Sequence, residues 1–305
     1  MTNLYTQASK NVFKTWLLMS IVFVLVIAIG WFFSYYYRNP SILIGFAIFA
    51  VVLQIGAYWY SDTVVIKLSG ARPAKREEFF DLYTVTENLS IAAGLPMPKL
   101  YVVDDAAPNA FATGRDKNHA AVCATTGLLA LLDRTELEGV IAHELSHIGN
   151  RDMLVSTVVV VLVGFISIIS DMFMRSLFWG GMRRSDDSKE GGLGGILMIV
   201  SIIFAILAPF IGLLVQLAIS RRREYLADAS GALLTRYPQG LASALQKIGS
   251  HAKPLRRQSS AIAHIYLADP TGGKKMQWVS QLFMSHPPVA KRVAALLGTQ
   301  PPTEK

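Results

Sequence analysis

His143-Glu144-Leu145-Ser146-His147 decides how this chain is read: an H-E-x-x-H run on a helix sets two imidazoles one turn apart on one face, where both can bind one zinc ion. The flanking residues predict that helix. Thr135 and Glu138 stand as a capping box, Leu137, Ile141, Leu145 and Ile148 make one apolar stripe, and Gly149 follows the second histidine as a terminator. The histidines point away from the stripe. Glu144 cannot be a third ligand in this geometry, but it can hold and deprotonate a water at the metal, which makes it the candidate general base. A five-residue pattern recurs by chance, so the motif needs support from a third ligand and from a carboxylate that orients an imidazole. Both are available in Arg221-Arg222-Arg223-Glu224-Tyr225-Leu226-Ala227-Asp228, where Glu224 and Asp228 share a helix face at i and i+4. One of the two can bind the metal while the other accepts an imidazole N–H.

The composition places this motif in a membrane protein. Of 305 residues 52% are hydrophobic and only 16% charged, and the mean hydropathy is +0.39, too apolar for an ordinary soluble domain. The net charge of +8 does not call for nucleic acid, because many of the lysines and arginines flank hydrophobic runs, where topology and anionic headgroups account for them. The single cysteine, Cys123, excludes an intramolecular disulfide and a Cys-rich metal site, and it sits in a strand-like apolar setting that suits packing rather than nucleophilic chemistry. The soluble part is expected to face a reducing compartment.

Four uncharged runs are candidate spans. Trp16 to Phe33 is too long, and too aromatic at its end, for a cleaved signal peptide, and Ser41 to Tyr60 returns after a short outer loop. Met153 to Ser170 and Ile196 to Ile219 form a second pair; the third run, about 27 Å long as a helix, barely suffices to span. His147 precedes the third run and Glu224 follows the fourth, so one metal can join them only if the intervening chain crosses the membrane an even number of times. The resulting organisation is a two-span hairpin over 1–60, a first part of the domain that carries the zinc motif over 61–152, a second hairpin over 153–219 and a second part of that domain over 220–305. Lys10, Lys14, Lys67, Arg72, Lys75, Arg151 and Arg221 to Arg223 all fall on the side of the site, which should be cytoplasmic, although Arg175, Arg183, Arg184 and Lys189 lie in the opposite loop. None of the four runs has an ionisable residue in its core, which argues against an ion pathway. Between the spans, Glu77 to Ala93 reads as a helix ending at Gly94, and Lys99 to Val103, Asn109 to Thr113 and Ala120 to Thr125 read as strands.

Together, H-E-L-S-H, the R-R-x-E-Y-x-A-D run, Pro108-Asn109-Ala110-Phe111-Ala112-Thr113-Gly114, and Ser285-His286-Pro287-Pro288 with Arg292 resemble the HtpX family of bacterial membrane zinc endopeptidases, gluzincins related to the Ste-type CAAX prenyl proteases. The resemblance covers nearly the whole chain. It implies a mainly α membrane protein with four transmembrane helices and a zincin-like α+β catalytic domain holding a small sheet. On this reading His143, His147 and Glu224 hold one zinc ion per chain, Asp228 orients a ligand and Glu144 activates water. Asn109, Ala110, Phe111 and Ala112 form the strand that pairs with an extended substrate backbone, the alternative being an ordinary hairpin. His286 lies by the metal and can donate to the oxyanion, with Arg292 anchoring a site carboxylate; the alternative for Ser285 and His286 is a helix cap. The implied role is turnover of misfolded membrane proteins in the bacterial inner membrane under stress, alongside other quality-control proteases and with the lipid bilayer as partner. A CAAX-type endopeptidase and a non-catalytic membrane scaffold are the other readings.

Overall fold

The computed structural model describes residues 4–163, 221–251 and 287–299. Two helices open the chain: α1, Leu4–Tyr36, and α2, Pro40–Trp59. Among the described residues these two are long and apolar enough to cross a membrane, over Ala8–Tyr36 and Pro40–Trp59, and little of either is buried by protein. Pro40 at the first helical position and the Asn39 side chain, which accepts from the Ser41 N–H at 3.0 Å, start α2 sharply and keep the connection short. Tyr35, Tyr36 and Tyr37 are exposed at one end of the hairpin, and Trp59 and Tyr60 at the other.

A short helix, α3 (Ser61–Ser69), leads into strand β1 (Arg72–Pro73), then α4 (Phe80–Ala93), β2 (Lys99–Val103), β3 (Ala110–Gly114) and β4 (Ala120–Thr125). The sheet order is β1-β2-β4-β3, with β2 parallel to β4 and both outer pairings antiparallel. Every residue of β3 and β4 is buried, because both faces of the sheet are covered. Leu100, Val102, Ala110, Ala112, Val122 and Ala124 join one core with the helices that follow α3. The alternate side chains Tyr101, Phe111 and Cys123 pack instead against a second core built with Leu18, Leu154 and Val158 from the membrane-side helices. The Ala-rich strands therefore read as continuous small apolar runs rather than as alternating ones. Burial there pushes the Cys123 thiol pKa up, and the charge of Glu144 adds to the shift.

After α5 (Thr126–Leu131) comes the motif helix α6, Arg134–Gly149. Its start corrects the expected cap: Asp133 Oδ1 accepts the Glu136 N–H at 2.9 Å and Glu136 Oε2 accepts the Asp133 N–H at 3.0 Å, which leaves Thr135 and Glu138 inside the helix. Tertiary contacts select this frame, since buried Glu136 also accepts from Ser243 Oγ at 2.6 Å and Lys247 Nζ at 2.7 Å. The end differs as well. Gly149 keeps helical geometry, and the left-handed position falls on Arg151, φ 55°, so that the next helix, α7 (Asp152–Val163), departs at 81°. The described start of the third apolar run is thus a protein-buried helix; residues 164–220, with the rest of that run and the fourth, lie outside the described residues, as do His264 and His286.

Helices α8 (Arg221–Thr235), α9 (Pro238–Ser250) and α10 (Val289–Leu297) close over α6. Small residues permit this approach: a Cβ on Gly139 of α6 would stand 2.6 Å from Leu241 N and 2.8 Å from Leu241 Cα. Gly139→Val should overpack this contact by about 1–3 kcal/mol and lower the unfolding midpoint by at least roughly 2–4 °C. Gly149→Ala, whose Cβ meets nothing nearer than Leu95 Cδ1 at 3.9 Å in a helical backbone, should not lower it and should raise it slightly in the same thermal melt.

Candidate metal centre

Three helices converge on the motif. His143, Glu144 and His147 project from α6; Glu224 and Asp228 project from α8, on the face completed by Ala227 and Gly231; Arg292 reaches in from α10. Gly231 makes the α6–α8 contact possible, since a Cβ there would lie 3.0 Å from the His143 backbone nitrogen. His143, Glu144, Glu224, Asp228 and Arg292 are all buried.

Among the described residues His143, His147 and Glu224 offer one ligand atom each within 4.8 Å of one another. The two Nε2 atoms are 3.2 Å apart, and Glu224 lies 3.7 Å from His143 Nε2 and 3.6 Å from His147 Nε2. Tetrahedral ligands at zinc distances, about 2.0–2.1 Å, are separated by about 3.3 Å, so this donor set fits such an ion.

Each imidazole is held by its own carboxylate. His143 Nδ1 is 3.0 Å from Asp228 Oδ1, and His147 Nδ1 is 3.2 Å from Asp152 Oδ2. An ionised carboxylate only accepts, so Nδ1 donates in both rings, and the two Nε2 atoms, which a metal would claim, face each other and Glu224. Asp228 is clamped by Arg292, whose Nε and Nη2 donate to its two oxygens at 2.9 and 2.7 Å. Burial pushes the Asp228 carboxyl up, but the Arg292 hydrogen bonds and the neighbouring His143 outweigh it and hold it at about 2. Burial pushes His147 down, yet its hydrogen bond to Asp152 and the charges of Glu224 and Glu144 hold it up at about 9. With both imidazoles neutral, as metal ligands must be, four buried carboxylates, Glu144, Asp152, Glu224 and Asp228, face two buried guanidiniums, Arg223 and Arg292, an excess of two negative charges. The site favours added positive charge where the Nε2 atoms meet, and a dication supplies it.

The candidate substrate strand borders this site. Thr125 N donates to Asn109 O at 2.9 Å, so along β3 the groups of Asn109, Phe111 and Thr113 turn toward β4 and those of Ala110, Ala112 and Gly114 turn toward the outer edge. Gly114 N is met there by Thr157 Oγ1 at 3.4 Å, and Ala110 N by the Asn109 side chain at 3.1 Å. Ala112 turns both its N–H and its C=O outward. Asn109, Ala110, Phe111 and Ala112 are themselves buried.

The structure brings together His143, Glu144, His147, Glu224, Asp228 and Arg292, and adds two residues that the sequence reading passed over. Asp152, which the sequence reading used only as the last residue of the first domain part, is the partner of His147; a carboxylate five residues beyond the second histidine was the available signal. Arg223, read as part of a topogenic cluster, is buried 3.6 Å from Asp152, whereas Arg221 and Arg222 are exposed. His119 and His251 are exposed, away from the ligand group.

Comparisons with known proteins give the family of the chain. A family signature described as Peptidase family M48 matches residues 76–300. The chain is 46% identical over 296 residues to a protein named Protease HtpX homolog from Caldanaerobacter subterraneus subsp. tengcongensis, covering 96% of this chain and 97% of that one. The same name is carried by a 44% identical protein of Tropheryma whipplei, with 97% and 99% covered, and by a 42% identical protein of Streptococcus gordonii, with 96% and 99% covered. Among solved structures, a crystal structure of S. mikatae Ste24p superposes with a TM-score of 0.51 at 21% identity, spanning 97% of this chain and 66% of that one. This last likeness concerns the fold.

Proposed function

Because the chain belongs to peptidase family M48 and is a membrane metalloprotease, we propose that it is a zinc endopeptidase of the bacterial inner membrane that cuts cytoplasmic segments of misfolded membrane proteins. The observation that carries this reading is the convergence of His143, His147 and Glu224 beside Glu144. His143, His147 and Glu224 would hold one zinc ion per chain. When bound, the ion supplies Lewis acidity, polarising the scissile carbonyl and lowering the pKa of water. Glu144 takes the proton from the attacking water and passes it to the leaving amine. Asp228, gripped by Arg292, and Asp152 keep both imidazoles turned with Nε2 inward. An extended substrate segment pairs with the outward N–H and C=O of Ala112, which gives affinity without demanding particular side chains and suits unfolded polypeptide. His286 donates to the oxyanion in this scheme.

Four spans, two on either side of the first domain part, complete the proposed topology, with the site facing the cytoplasm on the strength of the flanking Lys and Arg residues. Substrates would be shared with other quality-control proteases of that membrane under stress. Identical flexible cleavable segments placed in cytoplasmic and in outward-facing loops of one membrane substrate should be cut only in the cytoplasmic loop. Product mapping in cells reads this out, and cutting confined to the outward-facing loop would overturn the orientation.

A further inference from the structure

The helix α1 lies before the region matched by the peptidase family, yet one of its side chains enters the metal centre. Asn11 is buried at 2% exposure although it stands at the head of the first candidate span, Ala8–Tyr36. A primary amide buried there without partners would cost about 1–3 kcal/mol. Its Nδ2 uses both hydrogens, donating to Asp152 Oδ1 at 2.6 Å and to the Asn150 carbonyl at 2.9 Å. With that oxygen held, Asp152 presents Oδ2 to His147 Nδ1. Thr15 donates to the Asn11 carbonyl one turn later at 2.9 Å, and Leu18 continues the same buried face into the core shared with Leu154 and Val158.

The two histidines are therefore supported in the same way from different helices. His143 rests on Asp228, anchored by Arg292 from the C-terminal helix. His147 rests on Asp152, anchored by Asn11 from the membrane hairpin, with Arg223 farther off at 3.6 Å. We propose that Asn11 is a positioning residue for the metal ligand His147, acting through Asp152, so that the first membrane helix is a working part of the metal centre. This rests on the reading of His147 as a ligand. It also means that residues 76–300 alone do not make a complete site.

The test uses the full-length protein in detergent or lipid nanodiscs, with zinc affinity measured by chelator competition, kcat and KM on unfolded casein, and a thermal melt. Asn11→Leu keeps the volume and removes the donors. It should weaken zinc binding on the order of 10-fold, at the lower end of what outer partners of a ligand contribute, and lower kcat with KM changed less than about twofold. Asn11→Ser, polar but too short to reach Asp152, should do the same if Asn11→Leu folds poorly. In an Asp152→Ala background Asn11→Leu should have almost no further effect on zinc affinity, because the intermediary is gone. Unchanged zinc affinity in a folded Asn11 variant, or losses that simply add in the double mutant, would overturn the inference. Failure of the wild-type protein to bind zinc would instead overturn the metal reading itself.

Discussion

Glu144→Gln should leave bound zinc at the wild-type level and reduce peptide hydrolysis by about 10²–10⁴-fold, the range in which a positioned general base acts. The amide keeps the shape and the buried place of the carboxylate on α6, between two histidines whose supports it does not touch, but it cannot accept the proton of the attacking water. Metal analysis of the purified variant and casein cleavage under steady-state conditions check the two halves separately. Normal turnover by the variant would remove Glu144 from the mechanism, and a scaffold with a dead site would show equal, background activity for both proteins.

Glu224→Ala should have the largest effect on the metal, because it deletes one of three converging ligand atoms and leaves two imidazoles 3.2 Å apart with no anion between them. Zinc affinity should fall by more than roughly 100-fold, beyond the roughly 10–100-fold expected from losing an outer partner, and activity should fall with it. Asp228→Asn should fall within that smaller range. Its amide still fills the site, but it no longer neutralises buried Arg292 and can offer His143 only a neutral acceptor. Equal zinc content in Glu224→Ala and wild type, at zinc concentrations near the wild-type dissociation constant, would show that another residue completes the site.

These expectations draw on two kinds of information. The local part was legible in the chain itself: the four-residue spacing sets His143 and His147 on one face of α6, the same spacing sets Glu224 and Asp228 on one face of α8, and the lengths of the apolar runs mark α1 and α2 as candidate spans. Such features depend on helical period and chain length, which residue spacing states directly. The strands Lys99–Val103 and Ala120–Thr125 were legible for the same reason, although the parallel pairing between them was not, because no local signal records which distant strand lies alongside.

Only the tertiary structure decided the rest. The start of α6 went to Asp133 and Glu136 over an equally spaced alternative because Ser243 and Lys247, more than a hundred residues away, reach Glu136. Asp152 and Asn11 carry no local motif and look like ordinary polar residues beside apolar runs, yet they meet across 141 positions of sequence to hold His147. Spacing along one helix determines which side chains share a face. Which faces meet, and which buried polar groups then find partners, is determined by packing between elements, and that packing makes the membrane hairpin part of the site.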